Sequence, residues 1–234
     1  MNLKEIIFGV MDAIPALWNM VEIKTQEMFD RQLRSNSIQL FKGEIGLTDW
    51  LEGFAGAIDT QLTKAWNEGA DEVGVLPEDM TPEDLAILDG IINEEYNFMY
   101  SLGDEIELLS RETRELPIDE ALDKFRSEFN SRLDIWGNRY ADVVNQAKLH
   151  FGGKTKLVWK MGATEKHCET CAQLDGIVAY AEEWEQAGIQ PQSPPNSVLE
   201  CGGWNCDCSL ETTDARRSYD AFNKLLDIAA AGNL

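Results

Sequence analysis

The chain has 234 residues, 44% of them hydrophobic, enough for a buried core in one domain or two small ones. Its 20 Lys and Arg stand against 42 Asp and Glu, a formal net charge of −22. That balance argues against direct binding to duplex DNA, because non-specific affinity comes chiefly from Lys and Arg neutralising phosphates.

The apolar stretch Ile6–Val21 carries Asp12 and Pro15 and has no basic leader segment, so no secretory signal is expected there. It is also too short and too polar to predict a membrane span. A first helix is predicted over Leu17–Leu33, with apolar residues at 17, 20, 21, 28, 29 and 33 and Pro15 near its start. Thr48 is placed as the cap of a second helix, whose stripe runs Leu51, Phe54, Ile58, Leu62, Ala65, with Gly69 near its end. Val75–Met80 reads as a loop containing Pro77.

Thr81-Pro82-Glu83-Asp84 signals a helix start: a capping hydroxyl, proline at the first helical position, then acids against the helix dipole. Leu85, Leu88, Ile92, Glu95, Met99 and Leu102 follow at steps of three and four, and Leu116-Pro117 ends the run. The clearest stripe comes next: Ile118, Leu122, Phe125, Phe129, Leu133, Trp136, Tyr140, Val143, Ala147, closing at Gly152-Gly153. Its aromatic members are expected in a core rather than on a cofactor. Between Leu51 and Glu107 fifteen acidic residues face a single base, Lys64, a local net of −14. This reads as a solvated acidic face, or as a surface for a basic partner.

After Gly153 the pattern changes. Lys156–Lys160 reads as a strand, Leu174-Asp175-Gly176 as a turn and Ile177–Tyr180 as a second strand. Pro191–Pro195 reads as a rigid loop, and Asp214–Ala231 as a last helix with Tyr219, Phe222, Leu225 and Leu226 inward. All five cysteines fall between Cys168 and Cys208, in HCETC and LECGGWNCDC. Two tight thiol clusters about thirty residues apart resemble two half-sites of one tetrahedral metal. An odd cysteine count without a secretory signal favours metal binding over disulfides, and four thiolates would close a structural zinc site. The expected fold is mainly α (α+β): an elongated helical part over 1–150, a small β-rich zinc-stapled knuckle over 151–212 and a C-terminal helix over 213–234.

The string KLVWKMGATEKHCETCAQLDGIVAY, then Pro194-Pro195, then CGGWNCDCSL, resembles the C-terminal part of the phage head-morphogenesis or minor capsid proteins, including the Mu F-like and SPP1 minor-head types. The shared order is a long helix, a strand with Trp159, Cys168/Cys171, Leu174-Asp175-Gly176, a proline-bearing loop and a closing C-x-C, over about residues 140–210. The helical half, from DWLEGFAGAI onward, resembles such proteins less specifically. The resemblance implies Zn(2+) on Cys168, Cys171, Cys206 and Cys208. It also implies a structural place in the virion head, with host cytoplasm as the site of assembly. Implied partners are the portal and/or the major capsid protein, in multiple copies per particle. Three positions depart from the family: Gly203-Trp204 where many members have His-Pro, Asp207 where Arg is common, and the extra thiol Cys201. Cys201 could replace a C-x-C sulfur, since both sulfurs of such a turn reach one ion only through a tight bend.

His167 could ligate or hydrogen-bond a thiolate but, beside five thiols, is expected as an exposed neighbour; His150 suits a surface position at a helix C-terminus. Trp159, Trp184 and Trp204 are expected to pack over the metal site. No catalytic residue or organic cofactor site is expected. The chain lacks H-x-E before P-C-x-x-C, H-E-x-x-H and a Gly-rich phosphate loop. The alternative is a thiol-redox or zinc-dependent enzyme of a mobile element, which a reactive low-pKa pair at Cys168/Cys171 would favour.

Overall fold

The computed structural model describes residues 15–163, 167–204 and 206–232, with side chains from Phe29 onward. Most of the Ile6–Val21 stretch lies outside them. The chain is mainly helical: long helices precede a small antiparallel sheet that carries the cysteine cluster, and a helix follows. The long helices are α1 (Pro15–Lys42), α2 (Leu47–Glu72), α3 (Pro82–Glu112) and α4 (Ile118–Gly152), with a 3-10 turn at Pro77–Asp79 between α2 and α3. Then come β1 (Lys156–Lys160), α5 (Glu169–Leu174), β2 (Val178–Tyr180), α6 (Ala181–Gln186), β3 (Ser209–Thr212) and α7 (Ala221–Gly232). Among the described residues no helix is long and apolar enough to cross a membrane.

The chain divides into two compact units, each assembled from separate stretches of the long helices. One comprises residues up to Ala57 together with Leu102–Gly137. Its core is aromatic: Phe41 stacks obliquely on Phe125 at 5.0 Å, and Trp50, Phe54 and Trp136 form a chain with centroids 4.7 and 5.1 Å apart. Trp50, fully buried, donates its indole N–H to the buried Ser37 hydroxyl at 3.3 Å. Trp50 therefore leads the α2 stripe, and Leu51 is only half-buried. The helix begins at Leu47, two residues earlier than a cap at Thr48 would start it. Gly46 accepts the Trp50 N–H, which leaves Thr48 inside the first turn. Arg34 is held by Asp30, Asn130 and Asp134, a surface network along α1 and α4.

The other unit comprises Ile58–Ser101 and the chain from Asn138 onward. The α3 start forms as its sequence requires: Thr81 Oγ1 accepts the Asp84 N–H at 3.2 Å, and the Asp84 carboxylate accepts the Thr81 N–H at 2.8 Å. Within this unit α2 meets α4 at Gly69, where a Cβ would run into the Val144 carbonyl oxygen and lie 2.8 Å from the Ala147 Cβ. Glycine is what lets the two backbones come that close.

β1 is the central strand, in the order β2-β1-β3 and antiparallel to both neighbours, with Val158 opposite Val178 and Trp159 opposite Leu210. A central strand packed on both faces reads as a continuous apolar run, which explains Leu157-Val158-Trp159. The sheet and its helices enclose one apolar cluster, including Leu149, Leu157, Trp159, Leu174, Trp184 and Leu225. The last helix begins at Ala221, later than expected, because residues 214–220 run as irregular chain and Asp220 takes a positive φ of 54°. Of the residues expected inward there, Leu225 is buried and Phe222 half-buried. Tyr219 is 91% exposed because it precedes the helix, and Leu226, one step past the buried face, is exposed too.

Candidate metal centre

Cys168 closes the first turn of α5 from its N-cap position, in extended backbone, and its Sγ accepts the Cys171 N–H at 3.3 Å. The sulfur thus occupies the place of a capping Ser or Asp oxygen. The C-x-x-C spacing sets Cys171 three residues on, facing inward and buried. Two further bonds tie the start of α5 to the second cysteine segment. Glu169 N donates to the Glu200 carboxylate at 2.7 Å, and Glu200 N donates to Thr170 Oγ1 at 3.2 Å. These bonds bring Cys201 to Cys168.

Gly202 and Gly203, at φ 63° and 79°, turn the chain back towards Cys206. Asp207 then points outward and accepts the Ala163 N–H at 2.9 Å, so Cys206 and Cys208 face the same interior. Gly162 lies so close to the Asp207 carbonyl that no Cβ fits there. Asp175 accepts the Met161 N–H at 3.1 Å, the backbone-supporting part its position suggests.

The five sulfurs form two overlapping groups, Cys168/Cys171/Cys201 and Cys171/Cys206/Cys208, with the sulfurs of each within 4.8 Å of one another. Sulfurs around one zinc stand about 3.8 Å apart, from Zn–S bonds of about 2.3 Å in a tetrahedron. The cysteines could therefore hold a metal ion such as zinc. Cys171 belongs to both groups. All five are free thiols, so no disulfide competes for the sulfurs.

The protonation pattern follows from this crowding. Cys171, hydrogen-bonded to Cys206 and Cys208 and buried, is pushed far up. Those same contacts from Cys171 and Cys206 hold Cys208 down at about 3, helped by the Gly162 N–H and the Trp159 indole. The Trp159 Nε1 makes no hydrogen bond of ordinary geometry, which leaves it facing the sulfur as a weak donor. Burial raises Cys201 to about 11. At Cys168 burial acts upward too, but the Cys171 thiol and N–H and the Cys201 N–H outweigh it and lower the thiol. Thiols this close share protons. Full ionisation needs a cation among them, and such a cation would displace the protons.

The tryptophans divide. Trp159 and Trp184 are fully buried, 5.8 Å apart between centroids, and belong to the apolar cluster that includes Cys171, Cys206 and Cys208. Trp204 is 48% exposed, so it does not pack over the site as expected; the glycine turn carries it outward. His167 is half-buried and belongs to neither sulfur group. His150 is less exposed than its helix-end position suggested: its Nε2 lies 2.6 Å from the Asp84 carboxylate and its ring 5.6 Å from Trp66.

One supporting feature was not anticipated from the sequence. On α4 the buried polar row Asp142, Asn145 and Lys148 grips the knuckle. Gln190 donates to Asp142 at 2.6 Å, Asn145 accepts the Leu210 N–H at 3.3 Å, and Lys148 donates to the Leu210 carbonyl at 3.0 Å. The available signal was polar residues three apart beside an apolar stripe. No protein-family model, curated protein or solved structure matches the chain.

Proposed function

We propose that this chain is a structural minor head protein of a tailed phage or prophage, placed near the portal or the inner capsid surface and aiding head assembly or DNA delivery. In this reading one Zn(2+) on Cys168, Cys171, Cys206 and Cys208 staples the knuckle, and the helices carry the contacts with portal or capsid subunits. The observation that carries it is the convergence of thiols from two separate segments into one cluster. Those segments follow each other in the order that resembles the minor head proteins. An all-sulfur donor set suits a structural ion, because four thiolates leave no position for a substrate water. The proteins of purified heads test the reading: a few to a few dozen copies per particle are expected. Absence from both procapsids and mature virions would reject it and promote the thiol-enzyme alternative.

A further inference from the structure

The cluster holds five sulfurs, and a tetrahedral ion takes four. One sulfur is always in excess, and the structure shows where the excess lies. Cys171, Cys206 and Cys208 are buried at 2%, 9% and 2% exposure and form one group among themselves. Cys168 and Cys201 are half-buried and meet only in the other group, within 4.8 Å of each other. They sit at the α5 N-cap and in the glycine turn that begins at Leu199, beside the exposed Glu169, Glu200 and Trp204. Gly202 and Gly203, both with positive φ, shape the bend that holds Cys201 at that edge.

We propose that Cys168 and Cys201 form an oxidisable edge of the metal site, modified by hydroperoxides to a disulfide that removes one ligand from the bound ion. The proposal rests on the metal-bound reading above. Chemically, the Cys168 thiolate leaves the ion and attacks the peroxide O–O bond; an S–O bond forms, the O–O bond breaks, and hydroxide leaves as water after taking a proton from solvent. Cys201 then attacks the sulfenic sulfur; the S–S bond forms, the S–O bond breaks, and a second water departs with the Cys201 proton. One thiolate, one thiol, one solvent proton and one hydroperoxide thus become a disulfide and two waters (water and an alcohol for an alkyl hydroperoxide). Three sulfurs, Cys171, Cys206 and Cys208, remain on the ion. The competing C-x-x-C disulfide would have to withdraw Cys171, the one sulfur common to both groups.

The test uses the reduced, zinc-loaded full chain titrated with hydrogen peroxide. Disulfides are mapped by non-reducing mass spectrometry, and zinc is followed into a chromogenic chelator. A Cys168–Cys201 disulfide is expected, with zinc transfer about tenfold faster, as loss of one ligand should bring. Cys201→Ser is expected to keep one zinc per chain and to change its transfer rate under peroxide by less than about twofold. A disulfide mapping to Cys168–Cys171 or Cys206–Cys208 overturns the proposal, as does a Cys201→Ser chain that cannot hold zinc. A reduced wild-type chain that takes up no zinc rejects the metal reading separately and with it the ligand loss. In that case a map on the metal-free chain that lacks the Cys168–Cys201 bond rejects the pair as well.

Discussion

Cys171 occupies the point where the two sulfur groups meet, and its replacement should be felt more than that of any other thiol. Cys171→Ser is expected to abolish retained zinc and to open residues 154–210 to protease while the long helices persist. Metal binding in small zinc modules is itself folding free energy, on the order of 10 kcal/mol. Metal analysis with limited proteolysis checks this, and stoichiometric zinc in the variant would show the assignment to be wrong. A second single-residue effect lies at Asp84. The His150 contact, then the bonds from Thr81, hold its carboxyl down at about 2, against 3.8 for the free group. A depressed carboxylate stabilises the fold fully above its unfolded value, and that contribution fades as pH falls through the folded one. Asp84→Asn should therefore lower stability at neutral pH and flatten the acid limb between about pH 4 and pH 2 in denaturant titrations. A parallel acid limb in the two proteins would remove Asp84 from the account.

The elements divide by what forms them. The α3 start was legible because Thr81-Pro82-Glu83-Asp84 builds its own cap, and most of the α4 stripe because its period states which face is buried. Leu85 and Ile118 fit the periods yet are exposed, since each lies in the first turn of its helix, at the margin of the packed face. β3, α5 and α6 were not legible. Each has six residues or fewer and owes its form to distant partners: β3 to β1, α5 to Glu200, and α6 to Arg217, which holds Glu183 from 34 residues away. The cysteine cluster could be read from spacing, but the inclusion of Cys201 rests on the Glu200 contacts, which no local pattern announces.

At the element scale two substitutions test the packing. Gly69→Ala should force α2 and α4 apart and cost about 1–3 kcal/mol in thermal or denaturant unfolding, as overpacking commonly does. Lys148 is buried and bonded both to Glu72 at 2.5 Å and to the Leu210 carbonyl. Lys148→Met should cost about 1–3 kcal/mol by leaving that carbonyl unpaired. Its hydrogen exchange should rise first in β3, and uniform loss of protection across the unit would contradict that local role.

For the molecule as a whole, a charge of −22 sets the character of its encounters. No gel shift with duplex DNA is expected at micromolar protein and about 150 mM salt, since affinity of this kind grows with neutralised phosphates. A salt-dependent shift would reveal a basic surface that the sequence conceals. The sheet order adds a consequence in time rather than in space. The strand that everything else needs, β1, leaves the ribosome first and pairs on one side with β2 after a short wait. Its other edge, and three of the five sulfurs, must await a segment made some fifty residues later, Cys201 to Thr212. Until then the nascent chain presents a bare strand edge and an unfinished thiol pair. A chain whose synthesis stops before Cys206 would keep the long helices but lack the means to close the knuckle, an open edge that quality-control proteases and chaperones can distinguish from the finished protein.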